Sequence, residues 1–163
     1  MMTQVFKTNN AFSLIELVVV LAVIALLLAF AAPRFQQMRE TWKLKSAARD
    51  LFSEISYMKI KALETGKCYT ISGVSNNSYQ LFLDNDCDSS LDISDGDSIV
   101  HVNGLPNGVL GTNLISMSIS FDRNGFPFRN GSALSAAFTL QLQSLGSQNI
   151  NIIISPLGRV RIQ

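Results

Sequence analysis

The side chains best equipped for chemistry fall in four places. Residues 84–97 carry six aspartates and no base. Within "DNDCDSSLDISDGD", Asp84, Asp86, Asp88, Ser90, Asp92 and Asp95 follow the 1-3-5-7-9-12 spacing that arranges oxygen ligands around calcium. Ser89 stands where such loops need Gly, Asp95 where they use Glu, and no helical pattern flanks the loop. A solvated acidic loop is therefore the plainer reading, and a structural calcium ion the alternative. Cys68 and Cys87 are the only cysteines and allow one intrachain bridge. Near the end, "GRVR" places Arg159 and Arg161 one residue apart after Gly158. On a strand both point to one face, their Cα atoms roughly 6.6 Å apart. Planar guanidinium forks suit phosphate oxygens, although paired arginines on an outer strand are most simply a solvated surface. Finally, Glu16 stands just before an uninterrupted apolar run, where a lone carboxylate needs either the headgroup region or a cation.

What is missing limits the function classes. One histidine, His101, leaves no His-based triad or multi-histidine metal site. No nucleophile–base pair is apparent, so no enzyme is expected, and no cofactor apart from the calcium alternative. The net charge of +1 argues against a general polyanion binder, yet the charge is uneven. Residues 34–67 hold eight Lys/Arg against four acids, and residues 101–163 hold four Arg against one Asp.

The elements that must carry these groups divide the chain. Leu17 to Ala32 is a run of sixteen apolar residues, and with Phe12 to Glu16 it reaches bilayer-spanning length. It exceeds the apolar core of a secretory signal peptide, although "AFAAP" could mimic a cleavage site after Ala32. It is apolar on every face, unlike a surface helix of a soluble domain. After Pro33, apolar residues recur at Phe35, Met38 and Trp42, then at Leu44, Ala48, Leu51, Ile55, Met58 and Ala62. The later steps of three and four mark one helical stripe, and Gly66 is a natural stop. Lys43, Arg49, Glu54, Lys59 and Lys61 lie on the other face.

Beyond Gly66 the period becomes that of strands. "KCYTISGVSNNSYQLFLDNDC" reads as a hairpin about Asn76-Asn77, which sets Cys68 and Cys87 opposite one another for a disulfide. Further strands are expected at 114–121, 136–143, 149–155 and 158–163, with "DRNGFPF" and "SPLG" as turns. An α+β fold follows: a long N-terminal transmembrane and amphipathic helix packed on an antiparallel β-sheet head.

The leader "MMTQVFKTNNA" followed by "FSLIELVVVLAVIALLLAFAAP" resembles the signal of type IV pilins and type II secretion pseudopilins. That resemblance implies cleavage between Ala11 and Phe12 by a prepilin peptidase and N-methylation of Phe12. It implies an assembly role for Glu16, paired with the terminal amine of a neighbouring subunit, and matches the family's helix proline to Pro33. The residue before the cut is Ala11, where the family usually has Gly. "SISFDRNGFPFRNG", "FTLQL" and "INIIISPLGRVRIQ" are similar to the heads of GspH/FimT-type minor pilins and pseudopilins.

The resulting organisation is a leader (1–11), a transmembrane and assembly segment (12–33), an amphipathic continuation (34–66) and a β-rich head (67–163). The resemblance implies a single-pass bacterial inner-membrane protein with its head periplasmic or extracellular, later a filament subunit. Its expected partners are other pilin or pseudopilin subunits, the prepilin peptidase, and DNA or a secreted protein. FimT-like members carry a G-R-x-R element that contacts DNA, which implies such a role for Arg159 and Arg161 with Gly158 as the turn. Arg123 and Arg129 could extend that patch. Two phosphate contacts give a salt slope of about −1.8.

Overall fold

The computed structural model describes residues 13–163; the leader through Ala11, and Phe12, lie outside them. The chain divides into two compact units, Met1–Met38 and Arg39–Gln163.

One helix, α1 (Leu14–Thr65), runs through 52 residues with Pro33 inside it. A proline lacks one amide donor, and the continuity of α1 shows that the flanking turns tolerate its loss. In the first unit the side chains from Leu14 to Phe30 are exposed, and no residue of the most apolar window is buried. That window is long and apolar enough to cross a membrane.

In the second unit the helix is amphipathic. Leu44, Ala48, Leu51, Ile55, Met58 and Ala62 are buried, the stripe expected from their spacing, and Ala47 joins them. Burial of Leu51 or Ile55 contributes roughly 2 kcal/mol. Trp42 is 68 % exposed, so the stripe facing the head begins after it. The helix stops at Thr65, and the Gly66 amide bonds back to the Ala62 carbonyl.

The head contains ten strands: β1 (Cys68–Ser75), β2 (Ser78–Asp84), β3 (Ser98–Gly104), β4 (Val109–Gly111), β5 (Ser118–Phe121), β6 (Pro127–Arg129), β7 (Ser132–Ala133), β8 (Phe138–Ser144), β9 (Asn149–Ile154) and β10 (Val160–Ile162). They form two antiparallel sheets in place of the single sheet expected. The orders are β3-β2-β1-β5-β6-β7 and β10-β9-β8-β4. Ile71, Leu81, Ile119 and Phe121 from the first sheet and Leu140, Leu142, Ile152 and Ile154 from the second join the helix stripe in one apolar core.

The hairpin turns at Asn76-Asn77 as expected, but Cys68 pairs with Asp84, not Cys87. Cys87 lies past the strand end at φ 63°, and the chain curls back there to close the disulfide. Strand β5 begins at Ser118, four residues later than expected. Leu114 and Met117 are buried within a turn, whose Leu114 carbonyl occupies the place a Cβ on Gly73 would take. Only glycine permits that crossing. Strands β3, β4, β6 and β7 were not anticipated, and Pro127 and Phe128 of β6 fall within "DRNGFPF", expected as a turn.

Candidate functional site

Glu16 sits in the first turn of α1, its amide bonded to the Ser13 carbonyl at 3.1 Å. The helix N-terminus carries partial positive charge, so a carboxylate is favoured there. Its neighbours Ile15 and Leu17 are exposed apolar residues. The acid therefore stands in a surface fit for lipid or for other helices.

The acidic loop is built around a buried carboxylate. Asp84, the last residue of β2, is fully buried. Its Oδ2 accepts from the Thr70 hydroxyl at 2.7 Å and the Ser89 amide at 2.9 Å, and its Oδ1 from the Asp88 amide at 3.2 Å. Ser120, on β5, donates to the hydroxyl oxygen of Ser89 at 2.7 Å. Asp97, also buried, accepts from the Asn85 and Asp92 amides. Asp92 caps the 3-10 turn Ile93–Asp95 by accepting from the Ser94 amide and hydroxyl, which holds its carboxyl below the ordinary aspartate value. These acids thus supply what the loop backbone lacks, acceptors for its amides.

Of the five aspartates with calcium-loop spacing, the structure brings three together. Carboxylate oxygens of Asp84, Asp86 and Asp88 lie within 4.8 Å of one another, whereas Asp92 and Asp95 stand outside that group. Asp84 is already engaged by the Thr70 and Ser120 hydroxyls and the Asp88 and Ser89 amides, and the Ser90 amide donates to Asp88. The set gathered is a partial fit to a calcium site. The roles of Thr70 and Ser120 escaped the sequence reading. They are small hydroxyls remote in sequence that meet through the pairing of β1 with β5.

Gly158, Arg159 and Arg161 occupy the β9–β10 turn and strand. Ser155 and Arg159 close the turn with the Ser155 amide donating to the Arg159 carbonyl at 2.9 Å. Gly158 has φ +72°, and a Cβ there would lie 2.5 Å from the Gly125 carbonyl oxygen, so two turns meet where only glycine fits. The Lys59 ammonium donates to the Gly158 carbonyl at 2.8 Å. Lys59, Arg159 and Arg161 line one open depression with Ser155 and Leu157. Arg123 and Arg129 do not join them. Arg129 donates to the Ser116 carbonyl at 2.7 Å and stacks near the Phe138 ring. Arg123 lines a separate groove with Lys67, Phe126 and the disulfide.

A third surface lies between α1 and β3. Asp50 and Glu54, one helical turn apart, line a depression with Tyr79, His101, Asn103 and Gly104. Asn103 donates to Glu54 at 2.7 Å. Burial first, then the negative field of Glu54, pushes the Tyr79 phenol up to about 12.

The family model for type II transport protein GspH matches residues 47–158, and that for the prokaryotic N-terminal methylation motif matches residues 6–32. No curated protein sequence matches the chain. The fold is similar to the type IV minor pilin FimU of Pseudomonas aeruginosa, with TM-score 0.59 and 15 % identity over 76 % of this chain and 90 % of that one. It is also similar to the minor pseudopilin EpsH of the type 2 secretion system of Vibrio cholerae, with TM-score 0.54 and 11 % identity over 74 % of this chain and 96 % of that one. A head model spanning most of the chain, behind a methylation-type N-terminus, places this protein in the GspH family of type II transport proteins.

Proposed function

We propose that this chain is a structural subunit of a type II secretion pseudopilus or type IV pilus, made as a precursor and assembled from the inner membrane. The prepilin peptidase cuts between Ala11 and Phe12, and Phe12 is then N-methylated. Residues 12–33 hold the subunit in the bilayer, with the head outside, until it enters the filament. There the helices bundle, and Glu16 pairs with the terminal amine of a neighbour. A buried carboxylate needs such a cation, and the pairing sets axial register.

One observation carries this reading. The methylation motif runs into a helix whose apolar side chains are exposed from Leu14 to Phe30. Only lipid or other helices can cover them. Mass spectrometry of the N-terminus, from membranes and from sheared filaments, tests it. N-methyl-Phe12 supports the assembly, while an unprocessed terminus, or one after Ala32, defeats it.

DNA contact at the GRVR element is the second reading, favoured by the depression that Lys59, Arg159 and Arg161 share. Loss of DNA retention in the Arg159→Ala/Arg161→Ala double variant tests it.

A further inference from the structure

Each sheet has two edges, and the four edges are not alike. Strand β4 is covered, because the Gly111 amide donates to the Asn76 carbonyl at 2.7 Å. Strand β7 is two residues long. The other two edges, β3 and β10, each pair with a single strand among the described residues.

Backbone direction alternates along an antiparallel strand, so one known hydrogen bond orients the rest. The Leu105 amide bonds inward to the Asn77 carbonyl at 2.7 Å. Asn103 therefore also faces inward, and Val102 and Gly104 turn their N–H and C=O groups to the open side. In β10, Arg159 and Gln163 bond inward to Ser155 and Asn151. Val160 and Ile162 therefore present their backbone groups outward.

Strand β3 lacks the features that normally blunt a free edge. "SIVHVNG" contains no Lys, Arg or Pro. Ile99, Val100 and Val102 are 48 %, 41 % and 58 % exposed, so the rest of the chain leaves these apolar side chains uncovered. Acids stand at both ends of this strand. Exposed Asp92 and Asp95 precede it, and Asp50 and Glu54 line the depression beside its last residues. Strand β10 carries the opposite sign. Arg159 and Arg161 are exposed, and neither is in an ion pair among the described residues, where the sole ion pair is Lys61–Glu64.

From these features we infer that the β3 edge of one subunit receives the β10 edge of a second copy of this chain, extending one sheet into the other across the contact. Main-chain hydrogen bonds supply the pairing, and acid against arginine selects the partner and its approach. Two different edges meet, so the contact is heterologous. Repeated, such a contact leads to a ring or an open helical array, not a closed twofold dimer. The inference rests on the filament reading above and names the head surface that assembly would use.

Two tagged copies of the full-length chain, one carrying Val102→Cys and the other Ile162→Cys, are expressed together and oxidised in intact membranes and in sheared filaments. The expected product is a mixed-tag disulfide dimer that neither variant forms alone. Arg159→Glu/Arg161→Glu in the Ile162→Cys copy should lower its yield about tenfold. Retention of the Cys68–Cys87 bridge and of protease resistance shows that the variant heads are folded. A Val102→Cys homodimer of equal yield overturns the inference in favour of a twofold contact. Absence of the mixed dimer from filaments that contain both copies overturns it and leaves the filament reading standing. Charge reversal that abolishes DNA retention but leaves dimer yield unchanged also overturns it, because the arginines then serve DNA. A mixed dimer in membranes, from chains never recovered in filaments, supports the pairing and defeats the filament reading.

Discussion

The Lys59 ammonium and the Gly158 carbonyl meet at 2.8 Å, tying the middle of the amphipathic helix to the turn that opens the GRVR element. The Gly125 carbonyl oxygen and Lys59 both crowd the place a Cβ on Gly158 would take. Gly158→Ala forces a side chain into both a left-handed backbone and the Gly125 oxygen, and should destabilise the head by about 2–3 kcal/mol. Lys59→Met removes one hydrogen bond and should cost about 1 kcal/mol. Urea unfolding followed by near-ultraviolet circular dichroism checks both values and their order.

Asp84 is the acid whose loss should matter most. Asp84→Ala leaves the Thr70 hydroxyl and the Asp88 and Ser89 amides without their acceptor, at a cost of about 3 kcal/mol. Asp86→Ala, at an exposed site, should stay within about 0.5 kcal/mol. Because Asp84 is already engaged, calcium against chelator should shift Tm by less than about 2 °C. A larger shift, lost in Asp86→Ala, would restore the calcium reading.

The Cys68–Cys87 bridge closes a loop with a sequence separation of 19. Chain entropy alone assigns it about 3 kcal/mol. Denaturant midpoints with and without reductant, and for Cys68→Ser/Cys87→Ser, should differ from the oxidised protein by that amount.

The first turn of α1 yields a prediction about assembly. Glu16→Val removes a carboxylate from an apolar surface, so membrane insertion should hold or improve. Recovery in sheared filaments should fall at least about tenfold, a loss of 1.4 kcal/mol or more in the assembly contact. Immunoblots of membrane and filament fractions give the ratio.

Tyr79 predicts an alkaline transition. Its phenol is raised from 10.0 to about 12 in the folded protein, chiefly by burial. The folded state therefore holds a proton that the unfolded state releases above pH 10. The stabilisation is complete below pH 10 and is lost as pH rises toward 12, by roughly 2–3 kcal/mol. Tyrosinate absorbance, compared with Tyr79→Phe, locates the transition. Glu54→Gln should move it down, because that acid's field raises the pKa.

Much of the architecture was legible because it follows local periodicity. The three-and-four spacing from Leu44 to Ala62 marked the buried stripe, and Asn76-Asn77 marked the hairpin. Strand β3 was not legible, since "SIVHVNG" is exposed on both faces and shows no inside–outside alternation. Leu114 and Met117 read as strand residues because they are apolar, whereas their burial comes from a turn crossing Gly73. The aspartate spacing matched a calcium loop, yet hydroxyls on β1 and β5, distant in sequence, determine what Asp84 does.

The carboxylates inside the acidic loop also bear on its kinetics. Residues 85–92 contain no helix or strand and by composition would pass for a solvated coil. Yet the amides of Asn85, Asp88, Ser89 and Asp92 donate to aspartate side chains, with buried Asp84 and Asp97 as the anchors. In hydrogen–deuterium exchange these four amides should be protected alongside the neighbouring strands. They should open as a unit when Asp84 or Asp97 is replaced, so the segment that looks most mobile belongs to the same cooperative folding unit as the sheet it borders.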